Sequence, residues 1–253
     1  FIFPGRQSSE GACNGRFGNP VTATEEGYAK IAVQDRSGPA GVPDGIPDLI
    51  GMKSGVGESV VIVQVGRMDP GLGLRFGDSL PVQQTVEAEA VDLTLGDFDE
   101  DGISDVMLTN KNQDYSIALL AGTADGAFGP PFKFGGVVGA QRAHVADLTG
   151  DGVLDVTVVV KDTRTLSIFP GKVGGFDFSV AVTTVLPAPA HAFEFGGIFG
   201  AASKPDVVMS YSGCQGKPLG QWVEVYRAAA MGDSLRYDRS GGSTVAFMPV
   251  DEV

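Results

Sequence analysis

The chain has 253 residues, enough for one large domain or two small ones with a sizeable core. Its net charge of −13 argues against binding nucleic acid or an anionic membrane surface, either of which would call for a basic patch. The 37 Gly and 15 Pro punctuate short Val-, Ile- and Phe-rich runs, and no long stretch has helical period, so the composition predicts an all-β fold.

In chain order, "FIFPG" opens the sequence like the inside of a strand, without an initiator Met or signal peptide, so upstream residues are expected to have been removed. "VPDGIPDLIGM" follows, carrying Asp44, Gly45 and Asp48 ahead of a strand-like run. Next comes "GDFDEDGISDVMLTN", in which Asp97, Asp99, Asp101 and Asp105 would repel one another unless a cation offset their charge. The spacing begins like a helix–loop–helix calcium loop, yet the twelfth position is Leu108 rather than Glu, and a strand follows instead of a helix. "ADLTGDGVLDVTVVV" then superimposes on it at a period of 50, with Asp147, Thr149, Asp151, Gly152 and Asp155 on Asp97, Asp99, Asp101, Gly102 and Asp105. The first copy stands 57 residues before the second, and its loop has five extra residues between Asp35 and Asp44. A fourth, "ASKPDVVMS", keeps Asp206 and its strand but no preceding carboxylate. Each unit continues through "SIALLAGTADGAFGPPFKF" or "TLSIFPGKVGGFDFSVAV", so a unit is about four short strands, the length of a propeller blade. No run approaches the roughly 20 apolar residues of a membrane span.

These residues resemble the FG-GAP or VCBS repeat family, the calcium-loop blades of integrin α-chain-like β-propellers. The D-x-[DNT]-x-D-G-x-x-D loop is intact twice, and the tags "RFG" at 16–18 and "AFG" at 127–129 look like the family's Phe-Gly turns. The frame that follows is a partial blade at 1–26, blades at 27–85, 86–138, 139–188 and 189–242, and the first strand of a further blade at 243–253. "FIFPG" then matches "SIFPG" at 167–171 as a third strand, and "TVAFMPVDE" matches "AVDLTLGDFDE" as a first strand and loop opening. The expected architecture is a β-propeller of four whole four-stranded blades with partial blades at each end, forming a section of a larger propeller. A five-bladed ring would lack one strand in its shared blade.

Calcium takes six to eight oxygens at about 2.3–2.6 Å, which alternate residues of a tight loop can supply. The expected ligands are Asp97, Asp99, Asp101, Asp105 and the Ile103 carbonyl in one loop, and Asp147, Thr149, Asp151, Asp155 and the Val153 carbonyl in the next. Asp35, Asp44 and Asp48 form a third candidate set, with Ser37 or a carbonyl of the insertion helping. Asp-Gly pairs are also ordinary turn formers, so repetition at blade spacing is what favours Ca2+. Absent Cys and His clusters disfavour zinc, and the crowded oxygen cage disfavours magnesium. The metal's expected role is structural.

Elsewhere, Cys13 and Cys214 fit one long-range disulfide in an oxidising compartment, or two free thiols. His144 and His191 open inner strands and could face a channel as base or ligand, though strand-packing histidines are commoner. Trp222, Tyr226 and Tyr237 offer stacking surface for a sugar or, more commonly, sheet packing. "GCQGKPLG" lacks the spacing and the Ser/Thr of a phosphate loop, and no G-x-S-x-G occurs. The resemblance implies a non-catalytic module that binds a protein or glycan, extracellular, at the cell surface or periplasmic, and embedded in a larger chain or assembly. The alternative is a propeller enzyme acting on polysaccharide, such as a lyase, for which Arg142 with His144 is the local hint.

Overall fold

The computed structural model describes residues 5–7, 13–17, 27–36, 43–70, 73–77, 82–111, 115–134, 139–160, 163–172, 175–176, 182–196, 206–212, 220–231 and 234–249. Every regular element among them is a strand. Among the described residues no helix is long and apolar enough to cross a membrane.

A hairpin of β1 (Gly5–Gln7) and β2 (Cys13–Phe17) comes first. The first four-stranded sheet is β3 (Lys30–Gln34), β4 (Asp48–Gly55), β5 (Glu58–Gln64) and β8 (Val82–Val86), with the hairpin β6 (Gly66–Asp69) and β7 (Gly73–Phe76) inserted before its last strand. The second is β9 (Ala90–Gly96), β10 (Asp105–Asn110), β11 (Ile117–Leu120) and β12 (Phe132–Phe134). The third is β13 (Ala140–Ala146), β14 (Asp155–Val160), β15 (Thr165–Phe169) and β18 (Val182–Val185), with the short hairpin β16 (Gly171–Lys172) and β17 (Gly175–Phe176) in the same inserted place. The fourth is β19 (Ala190–Gly196), β20 (Asp206–Ser212), β21 (Gly220–Met231) and β22 (Ser234–Pro249). Every pairing is antiparallel and the sheets do not share strands.

The strands expected after Asp48, Asp105, Asp155 and Asp206 each begin at that residue and each take second place in their sheet. Residues 243–249 behave differently from the expected opening strand of a further blade. They run within β22, antiparallel to β21, with Trp222 opposite Phe247, because the long β21 leaves an edge that the following strand can pair.

All six residues of β10 and all six of β14 are buried. A strand alternates its side chains between faces, so complete burial requires a sheet covered on both sides. Val106 and Leu108 pack with Ile50, Met52 and Val61 of the first sheet, whereas Met107 packs with Val156, Val158 and Val160 of the third. Val159, on the opposite face of β14, joins Val207, Met209 and Tyr211 of the fourth. Consecutive sheets therefore stack face to face, and β9 lies beside both β3 and β13.

The same backbone pairing closes the turn after the third strand of the first three sheets: Gly66 opposite Phe76, Gly122 opposite Phe128 and Gly171 opposite Phe176. Gly5 opposite Phe17 repeats it in the first hairpin.

Candidate metal loops

The loops between first and second strands are built by aspartates that accept backbone amides. Asp35, Asp97 and Asp147 each accept, through Oδ2, the amide of the loop glycine: Gly45 at 2.7 Å, Gly102 at 2.9 Å and Gly152 at 2.9 Å. Asp44, Asp101 and Asp151 accept through Oδ1 the amides of Ile46 (2.8 Å), Ile103 (2.7 Å) and Val153 (2.9 Å). The glycine between them has φ of 84° at Gly45, 85° at Gly102 and 89° at Gly152, the left-handed region that a side chain disfavours. The first loop thus reaches the same geometry as the other two despite its longer path from Asp35 to Asp44.

The last aspartate of each loop is buried and ties the sheet together. Asp48 accepts Arg36 N at 2.9 Å and Gly66 N at 2.8 Å. Asp105 accepts Phe98 N and Gly122 N, both at 2.7 Å. Asp155 accepts Leu148 N at 2.8 Å, Thr149 N at 2.9 Å and Gly171 N at 2.7 Å. Gly66, Gly122 and Gly171 are functional positions that the loop spacing alone did not reveal. A Cβ there would overlap the carbonyl oxygen of Pro47, Ser104 or Leu154 respectively. The available signal was the recurrent "VG", "AG" and "PG" 16 to 18 residues after the buried aspartate.

In the second loop, carboxylate oxygens of Asp97, Asp99 and Asp105 lie within 4.8 Å of one another. Asp97 Oδ1 is buried without a hydrogen-bond partner among the described residues. An oxygen-only cluster with an unsatisfied buried lone pair fits a hard cation. Asp101 stands outside this cluster, its Oδ1 taken by the Ile103 amide. Among the described residues, Asp147, Asp151 and Asp155 do not converge in this way, nor do Asp35, Asp44 and Asp48. Thr149 Oγ1, at the position of Asp99, is buried and unpartnered.

Burial pushes the Asp105 carboxyl above the usual carboxylate range, against the Gly122 and Phe98 amides that lower it, and the charges of Asp99 and Asp101 add to the rise. Asp155 is raised in the same way by burial, opposed by the amides of Gly171, Thr149 and Leu148. Arg36 occupies the place of Phe98 and Leu148, with its guanidinium 4.1 Å from the centre of the Phe128 ring. Burial lowers its pKa, opposed by the Asp105 and Asp48 charges.

The remaining candidates separate. His144 is partly buried in β13, its ring 5.0 Å from that of Phe195 and its Nε2 4.0 Å from Glu194 Oε1. Tyr226 is buried, and its hydroxyl meets that of Tyr211 at 2.8 Å and Glu224 Oε2 at 3.0 Å, so it offers no stacking face to a sugar. The side chains of His191, Trp222 and Tyr237, the residue Cys214 and the side chain of Cys13 lie outside the described residues, as does the loop before Asp206.

The FG-GAP-like repeat family model matches residues 97–158, from the first aspartate of the second loop into β14. No curated protein matches the chain. Among solved structures, a crystal structure of BBS1N in complex with ARL6DN, soaked with lead, is similar at 10% identity over 82% of this chain and 80% of that one. Its TM-score of 0.36 makes it too distant a likeness to build on. The matched residues 97–158 hold both intact Asp loops.

Proposed function

We propose that this chain is a calcium-stabilised β-propeller section, embedded in a larger ring or assembly, that binds a protein or glycan partner outside the cytoplasm. The observation that carries the reading is the Asp97, Asp99 and Asp105 cluster, lying within an FG-GAP-like repeat and containing a buried, unpartnered Asp97 oxygen. Face-to-face stacking of consecutive four-stranded sheets, with β9 between β3 and β13, supports the blade arrangement.

Asp97, Asp99 and Asp105 would hold the ion in the second loop, with Asp101 and the Ile103 carbonyl completing the shell. Asp147, Thr149, Asp151, Asp155 and the Val153 carbonyl would serve the third loop, and Asp35, Asp44 and Asp48 the first. The bound cation supplies charge neutralisation. The chain's own part is to pre-shape the loops through the amides that Asp97, Asp105 and their counterparts accept. A rigid stack of sheets with variable connecting loops suits recognition, since binding residues concentrate on loops held by a scaffold.

Two measurements test the reading together. Calorimetry should give heat of calcium binding, and a screen of extracellular proteins and glycans should return a partner retained in calcium and lost in chelator. A folded chain with neither heat nor thermal shift in millimolar calcium would remove the metal from the reading.

A further inference from the structure

A pocket of about 430 Å³ opens where the four sheets meet, lined by Lys30, Asp92, Lys111, Gln141, Arg142 and Phe193 among others. Lys30 comes from β3, Asp92 from β9, Arg142 from β13 and Phe193 from β19, so each sheet contributes through its first strand. Asp92 is only 8% exposed and organises the cations around it: Lys30 Nζ lies 3.1 Å from its Oδ1 and Arg142 Nε lies 3.5 Å from its Oδ2. Lys111 Nζ stands 3.6 Å from Glu89. The side chains of Lys30, Arg142 and Lys111 remain 47%, 44% and 54% exposed, so a solute can reach them.

We propose that this pocket binds a small carboxylate, of the size of one acidic sugar or one organic acid. Arg142 meets Asp92 through Nε, its guanidinium lies 5.9 Å from the centre of the Phe193 ring, and its 44% exposure lets a solute reach its two terminal nitrogens. Those nitrogens form the planar fork that fits a carboxylate in two parallel hydrogen bonds. Three cations set against Asp92 and Glu89 leave one excess positive charge, which a monocarboxylate neutralises and a phosphate dianion exceeds. The volume lies near the lower bound of about 300–1,000 Å³ for ligand sites, so it admits one small ligand. In a chain of net charge −13 this local excess is what draws an anion to an otherwise repelling surface. The assignment deepens the binding-module reading by naming a ligand class, and it is independent of the metal loops.

The test titrates the chain with glucuronate and with lactate, using glucose and inorganic phosphate as comparisons, followed by calorimetry and by amide shifts of the pocket strands. Binding of a carboxylate that weakens with added salt is expected, with glucose inert and phosphate weaker. Glucuronate binding more tightly than lactate assigns the source to an acidic sugar, and the reverse order assigns it to a free organic acid. Arg142→Gln should weaken binding about tenfold. Because that change also takes from the buried Asp92 one of its two cationic partners, Lys111→Gln, at a half-exposed rim residue, serves as the second variant, and it should weaken binding several-fold. A folded parent that binds neither carboxylate, a Lys111→Gln chain that binds as well as the parent, or phosphate binding more tightly than both carboxylates each overturns the proposal. A protein or neutral-glycan partner found without carboxylate affinity overturns the pocket and leaves the module reading standing.

Discussion

The Asp155 carboxylate accepts the Gly171 amide at 2.7 Å, joining the start of β14 to the exit of β15 across 16 residues. Asp105 with Gly122 and Asp48 with Gly66 make the same join in the preceding sheets. One buried carboxylate thus closes its own loop through one oxygen and fastens the next hairpin through the other.

Substituting these partners should be costly from either side. Gly171→Ala places a Cβ on the Leu154 carbonyl oxygen and should destabilise the chain by about 1–3 kcal/mol or more, the range for forced overpacking. Asp155→Ala strands three buried or partly buried amides and should cost at least about 1–3 kcal/mol. Urea denaturation of both variants beside the parent measures the effect, and stabilities equal to the parent's would show the join to be incidental.

Calcium should raise the melting temperature, and the second loop should account for most of the rise. Binding to the folded state alone adds about 2.7 kcal/mol at a hundredfold excess over Kd. Asp99→Ala removes a carboxylate from the three-residue cluster and should abolish most of the shift, while Asp151→Ala, in the loop that does not converge, should remove less. Thr149→Asp restores to the third loop the charge that Asp99 carries in the second and should strengthen its calcium binding. Calorimetric titration of the three variants decides the order, and a larger loss in Asp151→Ala would reverse it.

Arg36 is 7% exposed, and neither of its terminal nitrogens has a hydrogen-bond partner among the described residues. The equivalent places hold Phe98 and Leu148. Replacing a poorly satisfied buried charge by an apolar group is often neutral or stabilising, so Arg36→Leu should raise stability in calcium by about 1–2 kcal/mol. A loss of stability would mean that its stacking on Phe128 and its attraction to Asp105 and Asp48 outweigh desolvation.

His144 should make stability fall in mild acid. Burial lowers its pKa below the ordinary value of about 6.5, Glu194 opposes the shift and Arg142 adds to it. The folded state therefore binds the proton less well than the unfolded one. Its contribution is fully present above the unfolded pKa and is lost as pH falls through the depressed folded value. Denaturation at pH 7.5 and about pH 5.5 should show a smaller acid loss in His144→Phe than in the parent. Comparing the two chains cancels the opposite trend from Asp105 and Asp155, whose raised values disfavour the folded state as pH rises. Equal acid losses in both chains would remove His144 as the cause.

The sequence by itself determined the repeat and the places where strands begin. An Asp-Gly turn before an apolar run can make only a few local shapes, and Asp48, Asp105 and Asp155 each open a second strand accordingly, while Asp206 opens one without such a turn. It did not determine which carboxylates converge, because aspartates that do and aspartates that do not read alike in sequence. Only the tertiary structure decided that Asp97, Asp99 and Asp105 converge while Asp101 turns to the Ile103 amide. The roles of Gly66, Gly122 and Gly171 depend on carbonyls brought against them by a hairpin turning back on its loop, a distance no local pattern encodes. Lys30, Asp92 and Arg142 come together only because consecutive sheets stack and bring their first strands side by side, so the burial that completes the core also creates the pocket.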